Sequence, residues 1–247
     1  MQHYHFEKLS STSDYAKELV NPKDNIVVTA DYQTAGHGRN GKTWLGHYGE
    51  NCYFSLGVWH SAPPDVNRLS VMQALGVLAA KQAVIEATDT AGHNIFLIKY
   101  PNDLMALGQD GSVRKICGVL AEHDFMGDEC ISSIVGIGIN VRQTEFDEEI
   151  RNTSTSLKLL GYDTTPSTIN KLLIKYCQRL LSLGWGELFE IWKNELNIIG
   201  KSLSIVGDPG LWTANEILPD GRLVVSSLDD GSRRLVDNGD SVRYSLL

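Results

Sequence analysis

The chain has few cysteines and no pattern that would pair them. Its four cysteines are widely spaced and contain no CxxC pair: Cys52, Cys117, Cys130 and Cys177. At least two of them lie in apolar runs that are typical of core strands or helices. We therefore interpret all four as buried thiols, neither disulfides nor metal ligands.

The chain also lacks long apolar runs that would target or anchor it. Its first residues, 1–19, contain no uninterrupted apolar segment of the kind found in secretory signals. No later run approaches the roughly 18 apolar residues that are needed to cross a bilayer. We therefore predict a cytoplasmic protein with no membrane partner.

Positive charge and metal-binding histidine motifs are scarce as well. Lysine and arginine total 22 against 30 aspartate and glutamate residues, which gives a formal net charge of -8. A field of this sign repels a phosphate backbone, so the composition predicts no nucleic-acid partner. The seven histidines form neither an HxxxH nor an HExxH motif, so we predict no metal site built from side chains of the protein.

The composition that is present is that of an ordinary globular protein, with 42% hydrophobic and 21% charged residues. β-branched and aromatic runs alternate with polar loops and amphipathic stretches, which indicates a mixed fold of helices and strands. The predicted strands cover residues 26–30, 52–59, 95–100, 116–122 and 131–139. The predicted helices cover residues 68–88, a segment starting at 166, and residues 187–196.

The pattern changes after Gly200, where short strands are separated by turn signals such as Pro219-Asp220-Gly221. A turn about every ten residues predicts a small antiparallel barrel. We accordingly divide the chain into a larger domain, residues 1–198, and a small C-terminal domain, residues 199–247. The second is too short to bury much core alone, so we expect it to dock on the first.

A glycine-rich basic loop at residues 36–44 is the most informative segment. Its sequence, GHGRNGKTW, matches both the GxGxxG and the GxxxxGK[ST] motifs. Both phosphate-binding motifs must open directly into a helix, whereas this loop is followed by further glycines and a strand-like run. The sequence therefore favours a loop in which glycine N–H groups, Arg39 and Lys42 approach an anion while Trp44 offers an apolar surface. A flexible surface turn is the alternative when the segment is taken alone.

Polar residues at the ends of apolar runs add further candidates. Lys99 is at the end of a predicted strand, before the turn residues Pro101 and Asn102, and could neutralise a carboxylate or phosphate. A solvated surface lysine is the alternative reading. Lys115 enters the next strand and Gly118 lies within it, where a glycine indicates a ligand nearby or a bulge.

Two more segments carry candidates of this kind. The run IVGIGINV, residues 134–141, contains two glycines, which leave space beside the predicted strand. The amide of Asn140 lies near its end. Ser11, Thr12 and Ser13 precede a helical pattern and could equally serve as N-caps.

Together these segments resemble the biotin protein ligase family over essentially the whole chain. The resemblance is carried by Ser11-Thr12-Ser13, QTAGHGRNGKTW from Gln33, ENCYFS with Asn51, KYPNDLM from Lys99, RKICGVLAE from Arg114, and VGIGINV from Val135. Each motif is weak alone, whereas their combination in this order is highly specific.

The resemblance implies an α+β fold: a mainly antiparallel mixed sheet with helices on one side, similar to class II synthetases, plus a C-terminal SH3-like barrel. It implies an enzyme that joins biotin and MgATP into biotinyl-5'-AMP and then transfers biotin to one lysine of a biotin carboxyl carrier protein. The cofactors would be ATP and Mg²⁺, with biotin as substrate. The protein would be a monomer or a homodimer. It would be a monofunctional member without an N-terminal DNA-binding domain, since the catalytic pattern begins within the first dozen residues.

The resemblance also implies roles for individual residues. The biotin site would comprise Ser11, Thr12, Ser13, Gln33, Gly36, His37, Gly38, Arg39, Lys99 and Gly118. The ATP and adenylate site would comprise Arg39, Asn40, Gly41, Lys42, Trp44, Asn102, Lys115 and Asn140. Lys99 and Arg39 would be the catalytic residues, acting by positioning and charge without a side-chain nucleophile.

The sequence departs from the common family pattern at a few positions. His37 stands where arginine is usual and Tyr100 where tryptophan is commoner, while Asn40 and Thr43 replace residues that are often basic. These changes lower the positive charge of the loop. A lipoate or octanoate ligase, which shares the fold, and a non-catalytic biotin-binding protein are the alternative functions.

Overall fold

A computed structural model describes residues 1–44, 46–236 and 238–247, with the side chain of Asn40 also outside the described part. The strands are β1 (Gln2–Leu9), β2 (Ile26–Gln33), β3 (Asn51–Trp59), β4 (Phe96–Lys99), β5 (Asp103–Leu107), β6 (Val113–Met126), β7 (Glu129–Asn140), β8 (Ser202–Ile205), β9 (Leu211–Ile217), β10 (Leu223–Ser227), β11 (Arg233–Val236) and β12 (Val242–Arg243). The helices are α1 (Thr12–Leu19), α2 (Ser70–Thr88), α3 (Pro166–Leu181) and α4 (Trp185–Leu196).

The larger sheet has seven strands in the order β1-β2-β3-β7-β6-β5-β4. The pair of β1 and β2 is parallel and the other pairs are antiparallel. This confirms the α+β class with a mainly antiparallel sheet. The predicted strands and the three predicted helices are present within a few residues of their expected limits, while β1 and β5 of the larger sheet were not predicted.

Helices cover both faces of this sheet. α2, α3 and α4 pack together on one face in the main core, as predicted for helices that lie on one side of the sheet. α1 packs on the opposite face, where Ala16 joins a small apolar cluster with Ile26, Val28 and Ile134. The expectation that all helices lie on one side is therefore wrong for α1, because successive residues of β2 point to opposite faces and both faces are apolar.

Local sequence signals explain where the helices start. Ser11 caps α1, since its hydroxyl accepts a hydrogen bond from the Asp14 N–H at 3.3 Å. Thr165 caps α3 by accepting from the Thr168 N–H at 3.1 Å, and Pro166 occupies the first turn, where a missing N–H is harmless.

α2 is the central helix of the core. Together with the turn before it, Val66–Thr88 is long and apolar enough to span a membrane by composition, although 67% of the 18-residue window that meets this criterion is buried inside the protein. This corrects the expectation that no run approaches such a length. The apolar character of α2 is explained by its position, since it packs against both β6 and β7 and against α3 and α4.

The C-terminal segment forms a second, five-stranded antiparallel sheet in the order β11-β10-β9-β8-β12. Within the described ranges no ladder joins β11 to β12, so the predicted barrel closure is not confirmed. This second sheet docks on the larger domain as expected, because Leu203 and Val225 belong to the same apolar core as Trp192 of α4. All four cysteines are buried and free, as predicted.

Candidate active site

A cavity of about 480 Å³ lies over the middle of the larger sheet. Its walls come from the N-terminus of α1, the loop after β2, the turn between β4 and β5, strands β6 and β7, and the C-terminal segment around Asp240. A wider, more open groove of about 940 Å³ lies between the hairpin of β5 and β6 and residues 144–162. The smaller cavity is the candidate active site, because the predicted cations and hydroxyl groups converge there.

One end of the cavity is a network of uncharged polar groups. The Gln33 Oε1 atom accepts hydrogen bonds from the Thr12 backbone N–H at 2.7 Å and from its hydroxyl at 3.0 Å. The Ser55 hydroxyl joins those of Thr12 and Ser13 at 2.8 and 3.0 Å. All four residues are buried, so this network fixes the start of α1 against β2 and β3 and offers oriented amide and hydroxyl groups to a neutral polar ligand.

Glycines in the two central strands make room for the indole of Trp44. A Cβ atom on Gly138 would lie 2.6 Å from the Trp44 Nε1 atom, and one on Gly118 would lie 3.0 Å from Cζ3. The indole N–H is buried and has no hydrogen-bond partner among the described residues. Trp44 therefore lies flat on the sheet as an apolar wall of the cavity with one donor unused.

Two lysines supply positive charge at the other end. The Lys115 Nζ atom lies 2.5 Å from the Asp103 Oδ1 atom and 5.9 Å from the centre of the Trp44 ring. Lys99 is half-buried, and this burial lowers its pKa, while the nearby Asp103 carboxylate opposes that shift. The pair can hold an anion at the end of β4.

Arg39 connects the loop to two other segments. Its Nη1 atom donates to Asn102 Oδ1 at 3.1 Å and lies 3.4 Å from Asp240 Oδ1. The Asn102 amide in turn donates to the backbone carbonyl of Val119. The guanidinium is therefore held between the turn after β4 and the C-terminal segment.

His37 lies in a separate group of charges at the rim. Its Nε2 atom is 3.9 Å from Asp14 Oδ1 and 3.8 Å from Glu122 Oε2. The other Glu122 oxygen accepts a hydrogen bond from Lys17 at 2.7 Å. The His37 ring therefore lies beside the carboxylates of Asp14 and Glu122 at the rim of the cavity.

The structure brings together most of the predicted site residues. Those that line the cavity are Ser11, Thr12, Ser13, Gln33, His37, Gly38, Arg39, Lys42, Trp44, Lys99, Asn102, Lys115 and Gly118. Gly36 and Gly41 do not line it, and the predicted role of Asn40 depends on a side chain outside the described part. Asn140 does not line it either, because its amide donates to the Thr155 carbonyl at 3.0 Å and fixes the next loop.

Sequence reasoning missed some residues that line the cavity. Asp103, Asp240, Arg243 and Ile150 were not singled out. Asp103 could have been found from its position in KYPND, while Asp240 and Arg243 carry no local signal, because they reach the cavity only through the docking of the second sheet.

The loop is not a P-loop. Its basic part forms a single 3-10 turn, Arg39–Gly41, and the next regular element is β3. Among the described residues between this turn and β3, no helix N-terminus follows the glycines, as the sequence predicted. Within the described ranges there is no group of three or more His, Cys, Asp or Glu side chains that could hold a metal ion.

Comparison with known proteins shows the family to which this fold belongs. Residues 5–140 match the model of the biotin/lipoate A/B protein ligase family. The bifunctional ligase/repressor BirA of Bacillus subtilis is 37% identical over 159 residues, 62% of this chain and 45% of that protein. The biotin--[acetyl-CoA-carboxylase] ligase of Mycobacterium tuberculosis is 32% identical over 144 residues, 56% of this chain and 47% of that protein. The matched part therefore spans under half the length of these curated relatives.

A solved structure covers more of the chain. The biotin protein ligase from Aquifex aeolicus, determined in complex with biotin and ATP, is 26% identical with a TM-score of 0.68 and covers 99% of each chain. This similarity extends over the α+β fold whose cavity, in this chain, combines a polar network and a cationic cluster. The chain belongs to the biotin/lipoate A/B protein ligase family.

Proposed function

We propose that this chain is a biotin protein ligase that forms biotinyl-5'-AMP from biotin and ATP and transfers biotin to one lysine of a biotin carboxyl carrier protein. The observation that carries the proposal is the convergence of a neutral polar network and three cations in one cavity. Thr12 and Gln33 lie at one end, while Lys99, Lys115 and Arg39 lie at the other. The relatives named as biotin ligases and the Aquifex structure with biotin and ATP support the choice of substrates.

The neutral network suits the ureido ring of biotin. A cyclic urea offers one carbonyl acceptor and two N–H donors, and the hydroxyl groups of Thr12 and Ser13 with the Gln33 amide can meet both. Trp44 provides the flat apolar wall that a fused ring and a valeryl chain require. Biotin bound in this way would extend its carboxylate toward Lys99.

The cations suit the first half-reaction. A biotin carboxylate oxygen attacks the α-phosphorus of ATP, the new P–O bond forms, and the bond to pyrophosphate breaks. Lys99 would bring the two anionic groups together and stabilise the charge that develops between them, with Lys115 and Arg39 on the phosphates.

The second half-reaction needs little from the protein beyond retention of the adenylate in the cavity. The neutral amine of the carrier lysine attacks the carbonyl carbon, AMP leaves with the bridging oxygen, and the amine releases a proton to solvent. Arg39 and Trp44 would hold the adenylate until the carrier arrives.

Magnesium would accompany ATP and neutralise phosphate charge when bound. Asp103 and Asp240 are the carboxylates among the described cavity residues nearest the cations. Each is paired with a cation, which fits an ion held mainly by phosphate oxygens and water rather than by a cage of side chains.

We also propose the finer assignments that follow from this function. These are the domain division into residues 1–198 and 199–247, an SH3-like closure of the C-terminal sheet, a cytoplasmic location, and a monomer or homodimer. The common apolar core of the two sheets supports the docking of one unit on the other.

The test is isotope exchange between pyrophosphate and ATP by the purified chain, with biotin, lipoate or octanoate as the acid. We expect exchange with biotin and background exchange with the other two. Exchange driven by lipoate alone would make the chain a lipoate ligase. Tight binding of biotin without exchange would make it a binding protein.

A further inference from the structure

The short turn Gly239–Ser241 is held by hydrogen bonds within the C-terminal unit, residues 199–247. The Asn238 side chain caps it by accepting from the Asp240 N–H at 3.0 Å, and the Arg243 guanidinium donates to the Asp240 carbonyl at 2.5 Å. The turn also packs closely against the larger domain, because a Cβ atom on Gly239 would lie 2.8 Å from the Pro101 Cδ atom. Asp240 is thus held at a set distance from the turn that follows Lys99.

The Asp240 carboxylate meets the loop through Arg39. The side chains of Arg39 and Asp240 are 26% and 30% exposed, so the 3.4 Å ion pair is partly shielded from water. Asn102 accepts from the same Nη1 atom. Because both acceptors contact Nη1, they restrict the orientation of the guanidinium, whose other donors are Nε and Nη2.

We propose that Asp240 is a positioning residue through which the C-terminal unit keeps the acyl-adenylate in the active site. This inference rests on the proposed function. The carboxylate acts on Arg39 and has no contact with the reacting atoms. It lowers the entropy that a long, flexible arginine loses when it closes over the adenylate. It also offsets the repulsion among Arg39, Lys99 and Arg243, which share the cavity.

A competing role predicts the opposite effect. If Asp240 only occupied Arg39 in place of a phosphate, the adenylate would have to displace it, and removing its charge would lengthen retention. The direction of the effect therefore separates positioning from competition.

The experiment measures the lifetime of the enzyme-bound adenylate after synthesis from biotin and MgATP. The variants are Asp240→Asn and Asp240→Glu, and the matched control is Asp229→Asn, an exposed aspartate in another turn of the same unit. Asp240→Asn should shorten the lifetime about two- to fivefold, as expected for a partly exposed ion pair. Asp240→Glu should restore part of the loss, and Asp229→Asn should have no effect.

Two further readouts separate positioning from a general structural role. Thermal unfolding of Asp240→Asn should coincide with that of the wild type within about 2 °C, as for a surface change. Combining it with Arg39→Gly should add no further shortening, because both changes remove the same contact.

The outcomes are distinct. Absence of biotin-dependent exchange in the wild type would overturn the proposed function itself. Normal exchange with an unchanged or longer adenylate lifetime in Asp240→Asn would overturn the positioning role alone. An additive loss in the double variant would overturn it as well, since Asp240 would then act without Arg39.

Discussion

Lys99 is the residue on which the proposed chemistry depends most. It lies at the end of β4 inside the cavity, and its neighbour Lys115 is engaged by Asp103. Lys99→Ala should therefore lower the rate of biotin-dependent exchange by at least about 100-fold, the usual effect of removing one charge-stabilising group. Lys23→Ala, at an exposed position far from the cavity, is the control. Exchange within a factor of a few of wild type would remove Lys99 from the mechanism.

The pH dependence of exchange tests the state of the same lysine. Burial lowers the pKa of Lys99, so its positive charge is lost at a lower pH than that of an ordinary lysine. The alkaline decline of exchange should therefore lie at a lower pH than an ordinary lysine would give, and it should move upward in Lys99→Arg, because arginine stays charged. Profiles of the two proteins that decline together would contradict this.

Gly138 is a second residue whose identity the structure explains. A methyl group there would lie 2.6 Å from the Trp44 Nε1 atom, so Gly138→Ala should displace Trp44 and raise the dissociation constant of the adenylate about tenfold. Equilibrium binding of a non-hydrolysable biotinyl-adenylate analogue measures this. Gly186→Ala, where an added Cβ meets nothing within 4 Å, should bind normally; if both variants bind equally, Trp44 does not form the wall.

Residues of the candidate site were predictable from the sequence where they lie in local motifs. Lys99, Asn102 and Arg39 were found because each lies in a short pattern of glycine, proline and polar residues. The pairing of Arg39 with Asp240 was not, because the two residues are some 200 positions apart and only the packing of the second sheet brings them together.

Among the elements, α1 owes its position to hydrogen bonds as much as to apolar packing. Thr12→Val keeps the shape of the side chain but removes the hydroxyl that bonds Gln33 and Ser55. It should lower the free energy of unfolding by about 1–3 kcal/mol and raise the KM for biotin. Urea unfolding and exchange kinetics measure the two effects. A loss of stability without any change in the KM for biotin would show that Thr12 has only a structural role.

Element prediction succeeded for strands that are buried almost throughout and missed β1 and the short strand β5. β2 and β3 are buried almost throughout, and their apolar runs were recognised. β1 is an edge strand with mostly exposed residues, and His3 and His5 dilute its pattern. α1 was placed correctly in sequence, but the face it covers could not be inferred because β2 is apolar on both sides.

At the scale of the whole molecule, the two sheets are joined at the turn after β4. The Tyr100 N–H donates to the Tyr244 hydroxyl at 2.8 Å, and the Tyr100 hydroxyl donates to the Gly221 carbonyl at 2.8 Å. Burial also raises the pKa of Tyr244 to about 12. The C-terminal unit thus fixes the backbone next to Lys99.

Tyr244→Phe should leave the buried Tyr100 N–H without its partner and reduce the free energy of unfolding by about 1–3 kcal/mol. Denaturant unfolding should still show a single transition, because the units have a common core. Tyr15→Phe, on the opposite face of the sheet, serves as control. Two separate transitions in the wild type would show that the units are independent.

The central claim is that this cavity activates biotin for transfer to a protein. The most direct measurement is mass spectrometry of a biotin carboxyl carrier domain after incubation with the purified chain, biotin and MgATP. The account predicts a single biotin on one carrier lysine, dependent on ATP and absent with Lys99→Ala. An unmodified carrier, despite tight binding of biotin, would contradict it.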